Sequence, residues 1–359
     1  MVSLGNIGSP RIDSTDGAGE DVIEYTTAEH GRSLPEDSTM LARRRFLAAV
    51  AALAAAGTAR AQPFPSRTIR IVVPWQPGGL PDTGGRVVSE ALTRSLGQSA
   101  VVENIPGAAG NLGAEQVVKS APDGHTLLMG TSSIAIDVAG GRKLPFDPRR
   151  DLVPVALVAD SNSAVIVPPD SPIKSIGEFI AAAKAKPGEL TYGTPGIGSP
   201  AHLFAELFCQ MAGISMLHVP YNRTRAINDL MGGRLTMMFA TIPSSIAQIG
   251  SGQVRALAVT GSSRFPGLAN VPTVAQAGLP GYEAGQWLGV LAPAATPQDV
   301  VQRINAEVVK AVRLPATSQH LLERGMIALT GSPAEFAKTF DSDVDKWRTV
   351  IRSADIKLE

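Results

Sequence analysis

At 359 residues the chain is longer than one ordinary core, since domains hold roughly 100–200 residues, so two domains are expected. Its 44% hydrophobic and 18% charged content excludes wholesale disorder, and 32 basic against 32 acidic residues removes the electrostatic grip that general nucleic-acid binding needs. The single cysteine, Cys209, excludes a disulfide framework, CxxC redox chemistry and a Cys-rich zinc site, and no apolar run reads as a permanent membrane span.

Residues 1–39 are polar, rich in Gly, Ser, Asp and Glu, and lack apolar periodicity. They read as an unstructured leader, with Met40 as the true start. Residues 40–61 carry the three parts of a secretory signal: Arg43-Arg44-Arg45, an apolar run from Phe46 to Ala56, and the small-x-small site Ala59-Arg60-Ala61. Arg43 to Leu47 also matches the twin-arginine form R-R-x-F-L, so Sec and twin-arginine export both stay open. Cleavage after about Ala61 places the mature chain, 62–359, in the periplasm. NAD- or ATP-driven chemistry is not expected there.

Ile69–Val73 reads as a strand. Val87, Val88, Ala91, Leu92 and Leu96 follow at helical spacing, and Gly97 ends that helix. Ala100–Glu103 is a second strand. Residues 111–120 form a helix with Asn111 as its expected N-cap, and Thr126–Met129 is a third strand. This β-α-β-α-β order predicts a parallel sheet covered on both faces. Val155–Val158 and Ala164–Val167 read as two strands flanking a polar, hinge-like stretch, Ala159–Ser163. Further strands are expected at 190–192, 217–219, 235–239, 254–259 and 288–291, with helices at 176–184, 201–211 and 226–231. Two long helices, 297–312 and 333–353, close the chain.

Ligands of open α/β sheets bind beyond the carboxyl ends of the strands, so the post-strand turns are the candidate sites. After the first strand come Trp75, Pro77, Gly78, Gly79 and Asp82: a close backbone approach, a helix N-terminus facing an anion, and an indole wall. A plain βα turn has the same pattern. Thr131, Ser132 and Ser133 follow the third strand as carboxylate-binding or capping hydroxyls. Gly196, Ser199 and His202 lie in a Gly-rich turn where Ser199 is a natural N-cap and Pro200 opens a helix. That turn also scans as G-x-G-x-x-A. The dinucleotide reading fails because Tyr221-Asn222-Arg223, not an acidic residue, ends the next strand. Arg223 suits a bidentate carboxylate pair or a solvated surface position, and Thr241 offers a hydroxyl after another strand.

No G-x-S-x-G elbow, H-E-x-x-H or His cluster occurs, so no catalytic residue, metal or cofactor is assigned. His125 and His218 read as structural; His202 is either structural or a polar ligand contact. Cys209, among Phe204, Leu207 and Phe208, reads as buried and inert. Many anion-binding turns without a nucleophile–base pair favour binding over catalysis.

Several stretches occur together and in order: Ile71–Gly79 with Asp82, Val102–Asn111, Ala121–Thr131, Tyr192–Ser199, His218–Tyr221, Val271–Tyr282 and Ala292–Pro297. In this the chain resembles the Bug family, the extracytoplasmic substrate-binding receptors of tripartite tricarboxylate transporters, over essentially all of 62–359. The resemblance implies an α/β type II periplasmic-binding-protein fold. Two lobes, 62–160 with about 262–359 and then 161–261, would close a hinged cleft on a small organic acid. It implies ligand contacts from Pro77, Gly78, Gly79 and Asp82, from Thr131, Ser132 and Ser133, and from Gly196, Ser199 and His202. It also implies membrane transporter subunits as partners, for a monomeric receptor that binds no nucleic acid and does not span the membrane.

Two departures narrow the ligand. Asn222-Arg223-Thr224 stands where the family often has Lys-Gly-Ser, and Ala240-Thr241 where it often has Asp. No acidic partner for an ammonium is left there, so the expected ligand is a carboxylate without an amine. Ile134-Ala135-Ile136-Asp137 suggests an apolar wall suited to an aromatic or branched acid. The alternatives are a receptor that presents its ligand to a membrane sensor, or an extracytoplasmic enzyme on the same fold.

Overall fold

A computed structural model describes residues 64–221 and 226–358. The leader, the export signal with its cleavage site, and Arg223 lie outside the described residues.

Strand β1 (Ile69–Val73) pairs in parallel with β2 (Ala100–Asn104) on one side and β3 (Thr126–Thr131) on the other. Helix α1 (Leu80–Leu96) buries Val87, Val88, Ala91 and Leu92 and ends on Gly97, whose φ of 69° makes the left-handed cap. Helix α2 (Asn111–Val118) leads into β3. Its N-cap is Gly110, at φ 98°, and not Asn111 as expected. The Asn111 amide instead donates to Asp137 Oδ2 at 3.1 Å, because a buried carboxylate next to it needs a donor.

The residues after Ser133 form α3 (Ser133–Ala139). Ile134, Ala135, Ile136 and Asp137 are all buried in it, and the three apolar residues among them belong to the core. The short α4 (Pro148–Asp151) precedes β4 (Leu152–Val167).

β4 is one strand of 16 residues, not two strands around a loop. Its polar stretch stays in the ladder: Ser161 is opposite Gln286, Asn162 opposite Gly285 and Ser163 opposite Thr241. Those three residues are 2–3% exposed. Ladder pairing satisfies the backbone, so polarity alone does not break a strand.

The chain continues through α5 (Ile176–Ala185), β5 (Thr191–Thr194), α6 (Pro200–Ala212), β6 (Leu217–Pro220), α7 (Ala226–Met231), β7 (Met237–Thr241), α8 (Ile242–Gly250) and β8 (Arg255–Val259). β9 (Gly285–Pro293), α9 (Gln298–Val312), α10 (Pro315–Glu323), β10 (Ile327–Ala328) and α11 (Pro333–Ser353) complete it. Helix α10 has no counterpart in the sequence reading; its mixed surface, with only Leu321 buried, carries little periodicity.

The sheet order is β2-β1-β3-β9-β4-β7-β5-β6, with β8 and β10 each paired to β4 off that path. The outer strands are parallel, as expected, but β9 and β4 run antiparallel to their neighbours and make the sheet mixed. The first eleven residues of β4, Leu152 to Asn162, run along β9, and the last five along β7 and β8. Helix α11 packs on both halves of the sheet: Trp287 of β9 is 5.0 Å from Phe336, and Phe204 of α6 stacks on Trp347 at 5.5 Å. A capping box at Ser332 and Glu335 starts this helix.

Candidate functional site

The first turn, Pro74 to Gly79, leaves β1 at the centre of the parallel strands. Pro77, Gly78 and Gly79 are exposed, and Trp75 is half-buried against Gly110. Gly79 caps α1 with no side-chain bond; Pro81 has no N–H and the Thr83 N–H donates to the Gly79 carbonyl (3.0 Å), so Leu80 and Asp82 supply the first-turn N–H groups that can face an anion. Asp82 has a different place. It is 3% exposed, and its carboxylate accepts from the Gly78 N–H (3.0 Å), Arg86 Nε (2.9 Å) and Asn104 Nδ2 (3.0 Å). Asn104 Nδ2 also donates to the Trp75 carbonyl at 3.1 Å. Asp82 thus brackets the turn from beneath. Burial pushes its carboxyl up, but Arg86, the Gly78 N–H and Asn104 outweigh that and hold it below the usual value.

At the end of β3, Thr131 is 3% and Ser132 1% exposed. The Ser133 N–H donates to Thr131 Oγ1 (3.3 Å), and the Ser132 N–H to the Trp287 carbonyl (3.2 Å). The Ser132 hydroxyl is buried without a partner, and so are Ser161 Oγ and Asn162 Oδ1 on β4. Buried polar atoms of this kind are uncommon in folded proteins. Ser161 and Asn162 were not among the sequence candidates; the signal was a polar run inside an otherwise apolar strand.

The Gly-rich turn between β5 and α6 is held closely. Ser199 Oγ donates to the Gly196 carbonyl (2.7 Å) and accepts the His202 N–H (3.4 Å), as its N-cap reading requires. His202 Nδ1 accepts the Gly198 N–H at 3.1 Å. The His202 ring is 5% exposed and lies under the turn, lining a cavity of about 790 Å³ with Arg142, Glu206, His218 and the segment 354–358. That cavity does not take in the β1 or β3 turns.

Thr241 closes β7 opposite Ser163. Its hydroxyl donates to Ser244 Oγ (2.9 Å), while Ser244 and Ser245 donate to its carbonyl (2.8 and 3.0 Å). Cys209 is buried, and burial pushes its thiol up to about 12. Among the described residues, no group of three or more His, Cys, Asp or Glu is placed to hold a metal ion, and no helix is long and apolar enough to cross a membrane.

Parallel strands on both sides of an antiparallel centre, joined by one strand common to both, define a type II periplasmic-binding-protein fold. The uncapped helix starts and buried hydroxyls at the strand ends suit a small polar solute. Residues 85–356 match the family model for the tripartite tricarboxylate transporter family receptor. The chain belongs to that family, whose members include the Bug proteins, and it is a periplasmic solute-binding receptor of this kind. It is 33% identical to protein BugT of Bordetella pertussis, over 86% of this chain and 96% of BugT. Among solved structures it is similar to R. palustris Rpa4515 with adipate, at 33% identity and a TM-score of 0.71, covering 82% of this chain and 99% of that one. It is also similar to MatC (Rpa3494) from Rhodopseudomonas palustris with bound malate, at 31% identity and a TM-score of 0.67, covering 80% and 100%.

Proposed function

We propose that this chain captures a small dicarboxylate without an amine between two lobes and delivers it, as a monomer, to the membrane subunits of a tripartite tricarboxylate-type transporter. The lobes would be 62–160 with about 262–359, and 161–261, hinged at the polar stretch of β4. Pro77, Gly78, Gly79, Thr131, Ser132 and Ser133 would meet the carboxylates from one lobe. Gly196, Ser199, Thr241 and Arg223 would meet them from the other, with Trp75 as a wall. Asp82 and His202 would act through the turns they hold.

The observation that carries this reading is two buried hydroxyls without partners, Ser132 Oγ and Ser161 Oγ, each able to donate to a carboxylate oxygen. A ligand that bonds to them recovers the cost of their burial. The adipate and malate in related structures support the ligand class. Hydrogen bonds to a charged group contribute about 1.5–3 kcal/mol each, so three or four account for much of the ~8 kcal/mol of a micromolar complex.

The test is a thermal-shift screen of the protein, unfolded and refolded to strip any carried ligand, against mono-, di- and tricarboxylates, aromatic acids and amino acids. The expected result is a raised midpoint with dicarboxylates. Shifts with amino acids alone would overturn the ligand class, and no shift with any acid would overturn the receptor reading.

A further inference from the structure

Beneath the Gly-rich turn lies a pile of rings that ligand contact does not explain. His202 of α6 stacks on His218 of β6, with centroids 3.9 Å apart and planes 12° from parallel. Tyr192 of β5 lies beside the pair with its ring near parallel to both, 4.9 Å from His218 and 6.2 Å from His202. The Tyr192 hydroxyl donates to Glu206 of α6. The pile touches the turn at two points. His202 Nδ1 accepts the Gly198 N–H at 3.1 Å. His218 Nε2 stands 2.6 Å from Thr194 Oγ1, and that hydroxyl bridges the Gly196 N–H (3.2 Å) and carbonyl (3.3 Å). Thr194 is fully buried, so its hydroxyl has no water to turn to.

We infer that His218 is a positioning residue for the ligand turn 194–199, setting its shape through Thr194 and through the His202 ring stacked on it. This rests on the reading of that turn as one wall of a carboxylate site. Turn geometry matters because a carboxylate is held only while several N–H groups aim at one point, and a shift of one peptide plane removes a donor. A flat ring at position 218 fixes the height of the His202 ring, and Nε2 fixes the rotamer of Thr194.

The same pile makes the turn sensitive to protonation. Burial, with the His218 ring next to it, pushes His202 down to about 4. His218 is lowered by burial. Once His202 is protonated, Nδ1 becomes a donor facing the Gly198 N–H and the bond is lost. The charged groups that face the pair are Glu206 from α6, Arg142 from the segment after α3, and Asp355 and Lys357 from the C-terminal segment.

The test uses His218→Phe, which keeps the stack and removes Nε2, and His218→Gln, which restores a polar nitrogen without the ring. Affinity for adipate and malate is measured by calorimetry. The backbone amides of Gly196 and Gly198 are followed by 15N NMR between pH 7.5 and 3.5. Wild type is expected to show a Gly198 amide that titrates with His202 near pH 4. His218→Phe is expected to move the Gly196 amide, to raise the Gly198 midpoint, and to weaken binding by about tenfold, the loss expected for one buried hydrogen bond. His218→Gln should recover most of the affinity. Unchanged amides and unchanged affinity in His218→Phe would overturn the inference. If wild type binds neither acid, the dicarboxylate reading fails, while the amide positions and the Gly198 midpoint still decide the role of His218.

Discussion

The side chain of Asn162 occupies the space where a Cβ on Gly261 would stand: that atom would be 2.1 Å from Asn162 Nδ2. Gly285 yields to the same side chain, with Asn162 Oδ1 at 3.2 Å and Asp160 Oδ1 at 2.7 Å from its would-be Cβ. Three chain segments that pass between the two halves of the sheet therefore meet around one amide. Gly261→Ala should cost about 1–3 kcal/mol, as overpacked sites do. Adding Asn162→Ala should return part of that loss, because the two changes share one volume. A denaturant double-mutant cycle reads this; strictly additive losses would show that the contact does not constrain the crossing.

Ser132 separates stability from binding. Its hydroxyl is buried with no partner, so removing it relieves an unsatisfied group. Ser132→Ala should leave the ligand-free melting temperature unchanged or raised and weaken dicarboxylate binding severalfold. A variant that melts lower and binds as well as wild type would give the hydroxyl a structural role instead.

Asp82 should behave in the opposite way. Asp82→Ala leaves the Gly78 N–H, Asn104 and Arg86 short of an acceptor and should cost about 1–3 kcal/mol, with lower affinity as the turn loosens. Its carboxyl is held below the unfolded value of 3.8, so its contribution is present above that pH and lost as the pH falls through the lower folded value. Asp82→Asn should therefore lose stability relative to wild type at pH 7, and the gap should close in strong acid.

Two buried groups titrate against each other across mild acid. Burial, with Glu283 and Asp343 nearby, raises Asp160 from 3.8 to about 6. The folded state then binds the extra proton, so this contribution grows as the pH falls from about 6 towards 4. His202 runs from 6.5 unfolded to about 4 folded; there the unfolded state binds the proton, and stability falls as the pH drops through that window. Asp160→Asn should be most stabilising at neutral pH and lose its advantage by about pH 4. His202→Gln should gain on wild type as the pH drops from 6.5 to about 4. Urea midpoints measured at half-unit pH steps check both directions.

Much of the fold was legible because local signals agreed with burial. β1 is β-branched at every position but Arg70, and Gly97 stands at the left-handed cap where α1 was expected to end. α11 starts at Pro333 and ends at Ser353, as its sequence periodicity indicated. The failures share one cause. Asn111 and the polar stretch of β4 were judged by residue type, while their structure is set by partners far along the chain: Asp137, and β9 with β7. For the site, the turns could be named from glycines, hydroxyls and strand ends. Which side chains hold them from below could not, since Asp82 with Asn104 and Thr194 with His218 are pairs formed only by folding.

β4 contributes its first eleven residues to one ladder and its last five to the other, as one strand. The two halves are therefore not beads on a string that can come apart one at a time. Melting either half strips hydrogen-bond partners from a strand that the other half also needs, and α11 adds aromatic contacts to both. Heat should accordingly be absorbed in a single cooperative transition, with the smaller half borrowing its resistance to unfolding from the larger.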